Sequence, residues 1–163
     1  MDKNVSVLAK IGALVVILIP LGVGYLSSVV SPNMRAGFDS MKKPPLSPPG
    51  MIFPIVWTIL YLLMGIALYM VITSNVAQPK LWAIIAFAVQ LGLNFGWSYI
   101  FFNKSNYVLS VVWIVALLAM ILLTIMLFKS ISKWAAIMLI PYCAWTCFAT
   151  YLTIGFSVLN MKK

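Results

Sequence analysis

The sequence predicts an all-α fold, an integral membrane bundle of five transmembrane helices, and three observations carry that prediction. Of 163 residues, 64% are hydrophobic and only 8% charged, with a mean hydropathy of +1.09. Polar surface is therefore too scarce to cover a water-soluble globule. Charge-free stretches run 11–34, 44–79, 81–103, 105–128 and 134–161, each longer than the ~20 residues that carry a helix across a ~30 Å hydrocarbon layer. Blocks such as 111–127 are apolar on every side, whereas barrel strands alternate in character over ~10 residues.

The first span is placed at 7–30. Lys3 precedes an apolar run, as in a secretory leader, but the run from Ile11 to Val30 contains Pro20 and no clear cleavage site. It also exceeds the ~7–15 apolar residues of a leader. The remaining spans are placed at 51–74, 81–102, 107–128 and 134–158, all within a single domain covering 1–163. Short connections at 75–80, 103–106 and 129–133 make consecutive helices antiparallel neighbours. Only the 31–50 connection is long, and its Pro44, Pro45, Pro48 and Pro49 favour a stiff, extended backbone suited to a lid. Five spans put the termini on opposite sides, and basic residues divide too evenly between those sides to orient the chain.

Missing residue types exclude whole classes of chemistry. Eleven Lys and Arg against two acids give a net charge of +9, yet the basic residues stand singly or in pairs between apolar runs. That pattern marks interfacial anchors and contact with membrane lipid, not nucleic-acid binding. There is no His and no Glu, and Asp2 and Asp39 lie outside the spans. No general acid or base is buried, so hydrolysis and proton-coupled export lose their usual machinery and the chain is not expected to be an enzyme. Cys143 and Cys147 stack on one helix face, but two thiols do not complete a tetrahedral metal site. They read as small apolar packing residues, with no metal and no required cofactor.

What remains is a set of aromatic and amide stripes. The segment from Pro48 to Tyr61 sets a proline-rich loop against Phe53, Trp57, Tyr61, Gly65 and Tyr69, spaced by four along the second span. On the third span, at ~100° per residue, Gln90, Asn94, Trp97 and Phe101 share one sector. Amides are costly against lipid tails, so this face should look inward to the pocket. Gly92 and Gly96 lie opposite and offer a close backbone approach, either a homodimer seam or a contact within the bundle. The fifth span contributes Tyr142, Trp145, Ala149, Thr153, Phe156 and Asn160. Trp57, Trp97 and Trp145 each share a face with a polar or small residue, an arrangement that suits a flat ligand. Trp82, Trp113 and Trp134 read as interfacial belt residues.

Together the segments 48–61, 90–98 and 141–145, in order and spacing, resemble the TspO/MBR family of translocator and tryptophan-rich sensory proteins. The resemblance implies a five-helix bundle binding porphyrins such as protoporphyrin IX, with sterols or synthetic benzodiazepine-type ligands in some members. It places the pocket at Pro45, Pro48, Pro49, Phe53, Trp57, Asn94, Trp97, Ser98, Trp145 and Ala149. Leu46 stands where the family commonly has Trp, and Gly37-Phe38 where it often has Trp-Tyr. The family's light-dependent porphyrin breakdown, linked to that loop Trp, is therefore in doubt here. An acidic position of the family's fourth helix becomes Trp113, and the sterol pattern is met only weakly by Leu93, Tyr99 and Lys104.

A porphyrin needs aromatic faces for its disc and cations for its propionates. The expected partners are Phe53, Trp57, Trp97 and Trp145 for the ring and Arg35, Lys42 or Lys43 for the acids. The expected role is a membrane receptor or sensor, multi-pass in a bacterial cell membrane. Transport of tetrapyrroles or other small apolar molecules, and a scaffold for protein partners, are the alternatives.

Overall fold

Five helices long and apolar enough to cross a bilayer run through the computed structural model, which describes residues 3–32, 34–77, 79–104 and 106–161, without the side chains of 3–6, 8 and 35. The helices are α1 Lys3–Val30, α2 Met34–Ser40, α3 Ile52–Ile72, α4 Lys80–Ser98, α5 Tyr107–Lys129 and α6 Lys133–Asn160, and a π turn at Tyr99–Asn103 prolongs α4. All but the short α2 are membrane length, and no strand occurs among the described residues.

Local chemistry explains where these helices begin and end. Asn106 and Ser132 start α5 and α6, their side chains accepting from Leu109 N at 3.1 Å and Ala135 N at 3.3 Å. Each thereby pairs a first-turn N–H that has no partner within its helix. At the other end of α3, the Lys80 ammonium donates to Ile72 O at 3.2 Å and to Ser74 O, placing a cation on the negative pole of that helix. Inside the spans, Thr124, Thr146, Thr153 and Ser157 donate to the carbonyl one turn back. Those hydroxyls are satisfied without water, as an apolar surrounding requires.

Around the bundle, α1 packs on α3, α3 on α6, α6 on α5 and α5 on α4. This order bears out the neighbour rule read from the short connections for α4–α5 and α5–α6 and departs from it at α3–α4. α3 and α4 follow one another in the chain but touch only slightly, because α1 and α6 take the two flanks of α3. α1 and α3 cross closely, and a Cβ on Gly65 would overlap the Ile17 carbonyl. Only a glycine lets two backbones meet in this way.

The 31–50 connection is not structureless, since α2 occupies Met34–Ser40. Its proline half is fastened along α6. Pro44 is buried against Gly155, where an added Cβ would lie 2.6 Å from the proline ring. The Asn160 side chain accepts from Lys42 N and donates to Lys42 O, both at 3.0 Å. Tyr151 adds a hydrogen bond from its hydroxyl to Pro45 O at 2.8 Å.

Candidate functional site

Besides an apolar core around Met64, Phe87, Leu117, Phe128 and Leu139, the bundle interior holds a polar chain at mid-height and an aromatic cluster above it under the loop. In the polar layer, Tyr61 donates to Asn94 Oδ1 at 2.7 Å, Asn94 Nδ2 donates to the Tyr142 hydroxyl at 3.1 Å, and Tyr142 donates to Gln90 Oε1 at 2.8 Å. The chain joins α3, α4 and α6. All four residues are buried, with Gln90 and Tyr142 each 1% exposed, so the amide stripe of α4 does face inward. Each pairing removes a desolvated polar atom from the cost of burial.

The aromatic layer draws on α2, α3, α4 with its π turn, and α6. Phe38 of α2 sits with its ring centroid 5.0 Å from Phe53 on α3 and 5.5 Å from Phe156 on α6, edge to face with both. Phe53 reaches Trp145 at 5.9 Å, and on the α4 side Trp97 stacks on Phe101 at 5.3 Å. Phe101 meets Phe156 at 5.9 Å, so the two sides join. Trp57 lies between the layers, 5.5 Å from Tyr61 and 6.1 Å from Tyr142.

Within this interior, Trp97 Nε1, Trp145 Nε1 and Gln90 Nε2 are buried without a hydrogen-bond partner. All three are donors. Asn94 Oδ1 and Gln90 Oε1 accept from Tyr61 and Tyr142 instead, and neither is paired with these three donors. A buried N–H without an acceptor costs on the order of 1–3 kcal/mol, which a guest carrying acceptor atoms would recover. The outer side of Trp145 borders a groove of about 490 Å³ between α3 and α6, lined by Val56, Ile59, Leu63, Ala144 and Phe148 among others.

The sequence-derived residues divide between interior and surface. Asn94 and Ala149 are buried, while Phe53, Trp57, Trp97, Ser98 and Trp145 are half-buried. In the loop Pro48 is half-buried, Pro45 and Pro49 are exposed, and Leu46 is 81% exposed. Leu46 is also the one residue other than glycine with positive φ among those described, at 64°. It forms the corner of a turn in which Ser47 N donates to Pro44 O at 3.3 Å. Lys43 pairs with Asp39 at 3.5 Å and lies over the Phe38 ring, Lys42 is exposed, and the Arg35 side chain lies outside the described residues.

The two glycines of the third span part company. Gly92 is exposed with nothing near a would-be Cβ, whereas Gly96 is covered by the Trp113 indole at 2.9 Å. Trp113 is therefore not a belt residue, since its Nε1 donates to Leu93 O at 2.8 Å and ties α5 to α4. Trp82 and Trp134, 62% and 66% exposed, do face outward. Sequence reasoning missed Phe38 as a member of the cluster and Asn160 as the clamp on the loop. Phe38 sits outside every helical stripe and gave no periodic signal, while Asn160 ended the α6 stripe and could have been found there.

Known proteins bear on this arrangement. The profile of the TspO/MBR family matches residues 16–159. The chain is 37% identical over 144 residues to the tryptophan-rich protein TspO of Chlorobaculum tepidum, covering 87% of this chain and 90% of that protein. It is 32% identical over 144 residues to the protein of the same name in Bacillus cereus, covering 88% and 94%. Similarity extends to translocator protein 2 of Canis lupus familiaris, 30% identical over 137 residues and covering 82% of this chain and 80% of that protein.

Proposed function

Given that this chain belongs to the TspO/MBR family, we propose that it is a membrane receptor for a large, flat, apolar molecule of the porphyrin class, held in the aromatic layer beneath the loop. The observation that carries the reading is the pair of indole N–H groups, Trp97 and Trp145, buried without acceptors among aromatic rings that include Phe53, Phe101 and Phe156. Aromatic side chains suit the faces of a tetrapyrrole, and free donors suit its acceptor atoms. At ~0.3 kcal/mol per heavy atom, about forty atoms supply on the order of 10 kcal/mol before the cost of parting the cluster.

Binding leaves the ligand chemically unchanged in this reading. The spans lack His, Glu and Asp altogether, and Leu46 brings no indole to the loop. A bacterial cell membrane is the proposed location, in keeping with the two bacterial relatives. Transport of the same ligand is the second reading, favoured by the translocator name of the canine relative, and tetrapyrrole flux into sealed liposomes separates it from sensing.

Titration with protoporphyrin IX, followed by porphyrin emission in detergent or nanodiscs, tests the proposal. Trp145→Ala and Trp97→Ala each weaken binding about tenfold, the equivalent of ~1.4 kcal/mol, while Trp134→Ala on the outer surface leaves it unchanged. Equal affinity in all three variants would move the site out of the cluster.

A further inference from the structure

We propose that the groove between α3 and α6 is a membrane-side doorway through which the apolar ligand passes between lipid and the aromatic layer, with the Trp145 indole as its leaf. The inference rests on the ligand-binding reading above and adds the route and the residue that controls it.

Four observations converge on it. The groove is lined by apolar side chains from two membrane-length helices, Ile59 and Leu63 on one wall and Ala144 and Phe148 on the other. It therefore opens onto hydrocarbon, where a disc of low polarity concentrates before it meets any protein. Trp145 lines this groove and also lies edge to face with Phe53 at 5.9 Å. One indole thus forms the partition between the outer groove and the inner cluster.

The partition is unlatched. Trp145 Nε1 is buried without an acceptor, so rotating the ring breaks no hydrogen bond. Trp113 shows the contrast, its Nε1 bonded to Leu93 O at 2.8 Å. The route from water is meanwhile held closed. Asn160 grips Lys42 through two hydrogen bonds, Tyr151 holds Pro45 O, and Pro44 is seated against Gly155. Opening the loop breaks all of these contacts together, and opening the groove breaks none of them.

A doorway has a kinetic signature distinct from that of a site. Narrowing it raises the barrier equally in both directions, so association and dissociation slow together and Kd is unchanged. The experiment is stopped-flow mixing of protoporphyrin IX with the full chain in nanodiscs. Ala144→Trp and Ile59→Trp fill the groove from opposite walls, and Asn160→Ala loosens the loop. The expected result is that both groove variants lose about tenfold in kon and koff at constant Kd, while Asn160→Ala stays within about twofold of wild type.

Groove variants that bind at the wild-type rate would overturn the doorway, as would faster association in Asn160→Ala. A loss of Kd with koff unaltered in correctly folded groove variants would overturn it too, by making the groove part of the site. Placing the variants in two helices, with helicity checked by circular dichroism, separates a blocked passage from a misfolded protein. These outcomes leave wild-type affinity intact. Failure of the wild-type chain to bind porphyrin at all would overturn the proposed function and the doorway together.

Discussion

Leu46 holds a left-handed backbone conformation, φ 64°, with its side chain 81% exposed. A branched side chain there costs about 1–2 kcal/mol in clash with its own carbonyl and recovers little by burial. Leu46→Asn or Leu46→Gly should therefore stabilise the protein by about 0.5–1 kcal/mol, seen as a higher Tm in detergent. A lower Tm would mean that the leucine makes a contact with lipid that outweighs the strain. The buried polar chain behaves in the opposite sense. Tyr142→Phe strands both Asn94 Nδ2 and Gln90 Oε1, whereas Tyr61→Phe strands only Asn94 Oδ1. The first should cost about 2 kcal/mol and the second about 1 kcal/mol, compared by denaturant titration.

Glycines separate the roles of the helices. Gly65 admits the backbone of Ile17 at the crossing of α1 and α3, while Gly92 meets nothing. Gly65→Leu should push the two helices apart at a cost of about 3 kcal/mol, and Gly92→Ala should change stability by less than about 1 kcal/mol. Thermal unfolding of the pair checks the contrast, and equal effects would contradict the crossing. Helices of this kind are legible in sequence because an apolar run longer than the bilayer has few other stable forms. The inward stripe of α4 was legible as well, since amides at Gln90 and Asn94 exclude lipid from their face. Partners across helices were not. Trp113 looked like a belt residue because nothing in the sequence shows that Gly96 brings α4 close enough for its Nε1 to reach Leu93 O.

At the scale of the molecule, the sequence yielded the number of spans and the α4–α5 and α5–α6 pairings, but not the place of α3 in the bundle. That place is a matter of packing: α6 wedges beside α3 and leaves α4 to meet α5. The same arrangement assembles the candidate site. Phe53 and Trp57 come from α3, Trp97 and Phe101 from α4 and its π turn, Trp145 and Phe156 from α6. Three stripes converging could be read from spacing, but Phe38, which fills their meeting point, arrives from a connection that spacing does not describe. Phe38→Ala should vacate part of that volume, tightening porphyrin binding severalfold while lowering Tm, measured by titration and thermal unfolding of one preparation. Weaker binding would make Phe38 a wall of the site instead of its plug.

The proline segment is bonded to α6 at Lys42 and Pro45 and seated on it at Pro44, all within the helix's last turns. Segment and helix thus form one lever with its long arm in lipid and its short arm in water. A guest whose passage shifted α6 along with the Trp145 ring would carry the fastened segment with it, turning occupancy in the bilayer into a displacement on the aqueous side. A fluorophore at Ser47 that responds to porphyrin in the intact chain, and falls silent in Asn160→Ala, would register that stroke.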